Sequence, residues 1–457
     1  MRPVHWIAAA AALHHAIVGS TFGPGDAEAL YIVYSRHLQG GYLEHPPLVA
    51  LVIRTSTALF GGSIFAARLP AAVLFGATIL LADRLARALG GSPRAGLIAA
   101  ASLLCIPMFA AGSLAITPDA VAAPLVLGSL WATARAVDRP GVAAAALAGA
   151  VVGLAFLAKY TSLFLVPGLI VLALRRGASP LRLAVAALAA LAVASPVVLW
   201  NAASGWPSLW HRLVWSQADA GPSLRNLGAL VGGQLLYVGP PMLVALGRAV
   251  VSSRTSGSDG WRLPAQGALA GAVAICLVSR VAEPHWTATA ILPLAIGLGI
   301  ASDTPGFLGR GLARAAVIWS AGALVVLHLY VLTPLAPLSL PAGAYDPKVD
   351  IANELHGWPA VARAVRRARR PGDLVAAGHY TMCAQLEVSL GDPNVRCMTG
   401  EVDDWDLWGR GRLPDRAPTI FVSDERYPTV PRGARLVDVV RVRRGGREVR
   451  AFRLWRL

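Results

Sequence analysis

Long apolar runs fill the first 334 positions of the chain, near 4–20, 66–89, 95–112, 118–137, 141–158, 161–175, 181–200, 226–250, 264–281, 285–302 and 314–334. A helix crossing the hydrocarbon core of a bilayer needs roughly 17–25 such residues, so the pattern predicts about 11 transmembrane helices. Only Lys159 and Tyr160 separate the fifth run from the sixth, which predicts a tight helical hairpin with the lysine at its tip. The alanine-rich runs at 143–150 and 184–194 read as close-packing helix faces. After Pro334 the pattern changes to a proline-rich linker, PLAPLSLPAGAYDP, and then to mixed charged sequence. There, 358–370 and 380–390 read as helices and 373–378 and 419–423 as buried strands. The alternation around Gly445-Gly446 reads as a β-hairpin. The fold class is a polytopic α-helical membrane protein over residues 1–335, followed by a small extracytoplasmic α/β domain over 336–457.

Composition agrees: 55% of the 457 residues are hydrophobic and 14% charged, which excludes an ordinary soluble class. Of 41 basic residues only Lys159 and Lys348 are lysine, so the net charge of +16 is an arginine bias and carries no nucleic-acid site. Cys105 and Cys276 fall in apolar runs. Cys383 and Cys397 lie in the polar part, placed to pair if it is extracytoplasmic, although coincidence accounts for them equally well. Residues 4–20 follow a lone Arg2 as a signal peptide would, but His14-His15 interrupt the run and it reads as a first transmembrane helix.

Basic residues are retained on the cytoplasmic side. With the N-terminus inside, fourteen arginines, Arg254 among them, fall in cytoplasmic connections, against seven basic residues outside. Asp26, Glu28, Glu44, Asp119, Asp219 and Glu283 then face outward, and an odd number of spans sends the C-terminal domain outward too.

The first outward loop, GDAEALYIVYSRHLQGGYLEHPP from Gly25 to Pro47, holds the densest chemistry. A carboxylate beside a membrane can take the proton of an acceptor hydroxyl, and a second can orient it or bind a metal. The alternative is that these side chains cap helices and mark the bilayer's edge. Further outward ends carry Asp119 in ITPDA, Lys159, and Glu283-Pro284-His285-Trp286. Lysine in an arginine-rich chain suits a compact ammonium facing a phosphate or carboxylate, or else snorkels to the interface. The loop after Trp200 adds Trp206, Trp210, His211 and Trp215, tryptophans suited to the interface or to stacking on sugars. Glu44, His45, Glu283 and His285 are weak metal candidates without a helical HExxH spacing. A divalent metal is therefore a possibility and no cofactor is certain. Walker and nucleophile signatures are absent from the sequence.

In GDAEALYIVYSRHL and then GYLEHPPLVA the chain resembles the C-type (GT-C) glycosyltransferases that use polyprenyl-phosphate-linked sugars. These are the group of bacterial glycosyltransferase family 39, protein O-mannosyltransferases and the aminoarabinose transferases of lipid A. TPDA around Asp119, GLAFLAKYTSLFLVPG around Lys159, SPVVLWNAASGWPS around Asn201, PHW at 284–286 and AAGHYTMCAQL around Tyr380 follow in order. The resemblance implies that Asp26 or Glu28 is the general base, that Glu44, His45 and Asp119 shape the substrate pocket, and that Lys159 meets the lipid phosphate. Tyr42, Tyr160, Asn201, Trp206, His285 and Trp286 complete its substrate-binding set.

Two departures stand out. Many members carry an adjacent Asp-Glu pair where this chain has Asp-Ala-Glu, and the lysine of the lipid A transferases' E-K-P-P is His45 here. The expected partners are a polyprenyl-phosphate sugar donor, a lipid or glycan acceptor and the bilayer, with no nucleic acid. The expected place is the bacterial inner membrane, with the active site outward. A protein O-mannosyltransferase and a non-enzymatic lipid or polysaccharide transporter are the alternatives. Against the transporter, the ionisable groups gather at outer ends and not at mid-span.

Overall fold

The computed structural model describes residues 2–217, 221–252, 259–280, 282–341 and 343–457. Asp219 and Arg254 of the charge tally lie outside the described residues.

Six described helices are long and apolar enough to cross a membrane: Ile64–Ala88, Pro118–Asp138, Pro180–Ala203, Asp259–Val278, Pro284–Ala301 and Arg310–Leu332. Two further runs are broken where a straight span was expected. Pro93–Cys105 and Pro107–Leu114 meet at 70°, and Leu224–Tyr237 and Pro240–Ser252 at 107°. Proline biases the residue before it away from helix and lacks the N–H that the helix ladder needs. Ile106 is accordingly extended before Pro107, and Gly239 takes a left-handed φ of +93° before Pro240-Pro241. Counting each bent pair as one span gives eight. Leu48–Phe60, Val142–Ala158 and Tyr160–Arg175 are shorter apolar helices, the first in a stretch where the apolar runs predicted no element.

The chain forms two compact units. The first comprises Met1–Ile17, Gln39–Val49 and Arg68–Leu324. In it, Val142–Ala158 packs along Pro180–Ala203 as the alanine-rich faces predict. A Cβ on Gly149 would lie 1.9 Å from the Ala186 oxygen, and one on Gly153 2.7 Å from the Ala190 oxygen, so these helices touch backbone to backbone. Both contacts advance together along the sequence, so the two helices run parallel and the segment between them, Tyr160–Arg175, returns. The chain does reverse after Lys159, but not as a tight hairpin. The return segment starts with a 3₁₀ turn, Tyr160–Leu165, and packs on Asp259–Val278, where Gly168 abuts the Leu263 backbone. An apolar cavity of about 440 Å³, walled by Gly149, Val152, Leu169, Ala173 and Ala186, fills the gap that hairpin packing would have closed.

The second unit comprises Val18–Leu38, Ala50–Ala67 and Val325–Leu457. Its sheet has the order β2-β1-β3-β5-β4, with β1 Leu374–Ala377, β2 Arg396–Cys397, β3 Thr419–Ser423, β4 Arg435–Arg444 and β5 Arg447–Arg456. β1 runs parallel to β2 and β3, whereas β5 is antiparallel to β3 and β4. Gly445 and Gly446 both have positive φ, +56° and +79°, as the tight turn joining two right-twisted strands requires. The expected helices appear as Trp358–Ala368 and Tyr380–Leu390. Trp358 packs on Phe452 of β5, ring centres 4.8 Å apart. Tyr380–Leu390 packs against Asp26–Arg36, the helix of the first loop, and Cys383 on it is disulfide-bonded to Cys397 of β2.

Candidate functional site

In the first unit the motif Thr117-Pro118-Asp119 is a helix start. The Thr117 side chain accepts the Ala120 N–H, Pro118 fills the first helical position, and Asp119 lies in the first turn, where a carboxylate suits the helix dipole. Lys159 follows the last turn of Val142–Ala158 in an extended conformation. Its buried ammonium reaches both Asp119 oxygens at 2.5 Å. The lysine is thus anchored by a carboxylate.

Around this pair the first-loop residues form a second cluster. Tyr42 donates its N–H to the His45 carbonyl at 3.1 Å, and its own carbonyl accepts the Ser208 hydroxyl at 2.8 Å. Asn201 accepts the Ser208 N–H at 3.2 Å and, through its carbonyl, the Trp206 N–H at 2.7 Å, which ties the end of Pro180–Ala203 to the next turn. Trp206 itself is left-handed, φ 61°, and exposed, as are Trp210 and Trp215. The Glu44 carboxylate lies 3.7 Å from His211 and 3.9 Å from His45. Arg212 donates to the Glu44 carbonyl and sits over the Tyr160 ring at 5.8 Å.

Burial pushes Glu44 up, opposed by the Arg212 charge. Burial drives His45 well below the usual imidazole range, and the charges of Arg212 and Lys159 add to this. Burial, then Arg212, lowers His211 to about 4. Both imidazoles are therefore neutral at physiological pH and resist taking up a proton. His285 lies 3.7 Å from Glu283 in the 3₁₀ turn Pro284–Thr287, which also carries the half-buried Trp286. Tyr237 lies within electrostatic reach of Glu283 and Asp119. Arg212, Ser208 and Tyr237 were not among the residues expected from the sequence. Arg212 was the most legible of them, as a cation among the tryptophans of its loop.

Among the described residues no three His, Cys, Asp or Glu side chains gather as a metal site requires. The candidate pairs Glu44 with His45 and Glu283 with His285 each offer two ligands, and the cations facing His45 oppose a further one.

Asp26 and Glu28 fall in the second unit, both buried in the first turn of Asp26–Arg36. Arg426 donates to Asp26 Oδ2 at 2.7 Å, and Gln385 to Asp26 Oδ1 at 3.0 Å. The Asp26 N–H donates to Glu354 at 3.2 Å, and Arg426 also reaches Glu354 at 3.1 Å. Burial, then the neighbouring Asp26 carboxylate, pushes Glu354 up. Asp424 accepts from Arg450 at 2.6 Å, and its other oxygen holds the turn by accepting the N–H groups of Arg426 and Tyr427. At the far end of the same helix Tyr34 donates to Asp404 at 2.6 Å, and His37 lies 3.2 Å from Glu387. Glu354, Gln385, Asp424 and Arg426 were also missed. Only Gln385 lay inside a quoted motif, and the SDERYP turn after a buried strand was the one local signal for Arg426.

Residues 44–200 match the family model described as dolichyl-phosphate-mannose-protein mannosyltransferase. Over 241 residues the chain is 31% identical to the lipid A galacturonosyltransferase RgtD of Rhizobium johnstonii, covering 51% of this chain and 50% of that protein. The chain thus matches about half the length of this curated relative. The crystal structure of ArnT from Cupriavidus metallidurans bound to undecaprenyl phosphate superposes with a TM-score of 0.66 at 19% identity, over 99% of this chain and 98% of that one. The same protein in the apo state gives 0.65 at 20% identity, over 98% and 97%.

Proposed function

We propose that this chain, which has the C-type glycosyltransferase fold, is a membrane glycosyltransferase that moves a sugar from a polyprenyl-phosphate donor to a hydroxyl of a lipid or glycan acceptor. The observation that carries the reading is the buried Lys159–Asp119 pair at a helix break, near the neutral His45 and the cation Arg212. An ammonium fixed by a carboxylate presents its remaining donor to a phosphate, and the departing polyprenyl phosphate needs its charge compensated more than it needs a proton. RgtD is named for lipid A, and the ArnT structure holds undecaprenyl phosphate, which supports this donor and acceptor class.

In the reaction the acceptor oxygen attacks the anomeric carbon, its proton passes to a carboxylate, and the C–O bond to the phosphate breaks with the electron pair leaving on the phosphate. Asp26 is the base we assign. Arg426 and Gln385 each take one hydrogen-bonding position on its two oxygens, and a carboxylate has about four such positions, so acceptor sites remain. Tyr42, Asn201 and Trp206 position the loop that carries Glu44 and His45. Tyr160, His285 and Trp286 serve the donor side.

We place the protein in the bacterial inner membrane with this chemistry on the periplasmic face. The arginine asymmetry supports that orientation, as does a disulfide in the C-terminal unit, since disulfides persist in oxidising compartments. The family description favours a second reading, protein O-mannosyl transfer. The test is purified protein in lipid nanodiscs with radiolabelled undecaprenyl-phosphate sugars and either lipid A or a Ser/Thr-rich peptide as acceptor. Label on the lipid supports the first reading and label on the peptide the second. Failure with every donor returns the protein to the transporter alternative.

A further inference from the structure

The second unit holds a cavity of about 170 Å³ beside the sheet, with Lys348, Asn353, Glu354, Arg426, Val449 and Arg450 in its wall. Arg450 is the unusual member. Its side chain is 5% exposed, its Nε donates to Asp424, and its Nη1 and Nη2 are buried with no hydrogen-bond acceptor among the described residues. The guanidinium faces the rings of Phe452 and Trp358 at 4.3 and 4.9 Å, which offsets part of the charge but gives neither nitrogen an acceptor oxygen. A buried donor left unpaired is costly, and this arginine stands in the cavity wall with both nitrogens covered.

The rest of the wall says what kind of group the cavity suits. Lys348 and Arg426 offer donors, while Glu354, Glu425 and Glu448 offer acceptors. A phosphate or carboxylate would satisfy the donors and be repelled by the three glutamates. A sugar matches both sets, because each hydroxyl donates and accepts, and Pro347, Val449 and Ala451 supply an apolar wall for the C–H face of a ring. Arg426 also joins the cavity to Asp26: one nitrogen meets Glu354 in the wall and another meets the Asp26 carboxylate.

We propose that this cavity is a binding subsite for one neutral or amino sugar unit of the acceptor. The assignment to the acceptor rests on the glycosyltransferase reading. Binding of a sugar there does not.

Saturation-transfer NMR on the full chain in detergent micelles, with free D-galactose and D-glucosamine as probes and sodium phosphate as competitor, tests it. Ring protons of a probe should receive saturation in the wild type, lose it in Val449→Phe, which fills the cavity, and receive less in Lys348→Ala, with phosphate not competing. No transfer to either sugar, equal transfer in wild type and variants, or displacement by phosphate overturns the proposal. If Val449→Phe does not fold, Lys348→Ala and Glu448→Ala carry the comparison.

In the transfer assay the same variants should raise acceptor KM at least about tenfold and leave donor KM within about twofold, the signature of lost acceptor binding. Intact transfer with unchanged acceptor KM sinks the acceptor role of the cavity alone. Sugar binding that persists in a protein inactive with every donor sinks the glycosyltransferase reading and upholds the cavity as a sugar site.

Discussion

The Asp26 carboxylate and the Arg426 guanidinium meet at 2.7 Å although 400 positions separate them in the chain. The first-loop helix therefore does not present its acidic residues alone. It packs on Tyr380–Leu390, and the turn after β3 completes its polar environment with an arginine that Asp424 and Glu354 hold in place. A carboxylate fixed on both oxygens keeps one orientation, as the general base proposed at Asp26 requires.

Asp26→Asn should lower turnover about 10²–10⁴-fold, the usual worth of a general base. Donor affinity should change little, and Glu28→Gln should be milder. Arg426→Met should also slow turnover by freeing the Asp26 side chain, with a larger effect on kcat than on donor KM. Steady-state kinetics on the three variants decide the matter. Near-normal turnover in Asp26→Asn with an inactive Glu28→Gln reverses the assignment, and two active variants remove this loop from the chemistry.

For Lys159, methionine retains length and removes only the charge. Lys159→Met should weaken binding of undecaprenyl phosphate by about tenfold or more, as loss of a charge-assisted hydrogen bond implies. Asp119→Asn, which leaves a buried ammonium without its counter-charge, should reduce thermal stability as well. An unchanged donor dissociation constant in Lys159→Met would confine the lysine to pairing with Asp119.

Much of this was legible in the chain, for local reasons. Gly445-Gly446 between alternating strands, Thr117-Pro118-Asp119 as a helix start, and the reversal after Lys159 depend on neighbours in sequence. The breaks at Ile106 and Gly239 were legible in principle from Pro107 and from Pro240-Pro241, but the average hydropathy of each run conceals a break that leaves both halves apolar. Where Tyr160–Arg175 packs depends on which glycines meet which backbone, and no run of hydropathy encodes that. Arg426, Glu354 and Gln385 reach Asp26 only through the tertiary fold, so no spacing could have announced them.

Orientation is open to direct test. Reporter fusions at Gly177, in an arginine-flanked connection, and at Gly391, next to the disulfide-bonded helix, should give opposite signals, cytoplasmic for the first and periplasmic for the second. Matching signals would overturn the outward placement of the C-terminal unit.

The Cys383–Cys397 bond closes a short loop with a sequence separation of 14 residues. Loops of that size are worth about 3 kcal/mol through the unfolded chain's entropy. Reduction, or Cys383→Ala with Cys397→Ala, should therefore lower the unfolding midpoint of the second unit without touching donor binding. Mass spectrometry after alkylation without reductant should leave these two cysteines unlabelled, and labelling of both would refute the bond.

Acid sensitivity should come in part from His379. This residue caps the helix Tyr380–Leu390: its Nδ1 lies 3.4 Å from the Thr381 N–H that donates to it and 2.8 Å from the Thr381 hydroxyl. Its ring stacks on Tyr427 at 3.8 Å between centres. Burial lowers it to about 4; the Asp26 and Asp424 carboxylates pull the other way, and Arg426 adds to the depression. An unfolded chain takes up this proton near 6.5, whereas the folded ring resists until about 4. The stability it contributes is thus complete above about 6.5 and is lost as pH falls from there towards 4, because protonation then favours the unfolded chain. Solvent screening at the half-buried ring reduces the full linkage value, so the expected loss is about 1–2 kcal/mol. His379→Asn keeps a side chain able to cap the helix and removes the titration. Thermal midpoints measured from pH 4 to 8 should fall on the acid side more steeply for the wild type than for His379→Asn, the two curves converging above pH 7. Parallel curves across the whole range would show that the acid sensitivity arises at other groups.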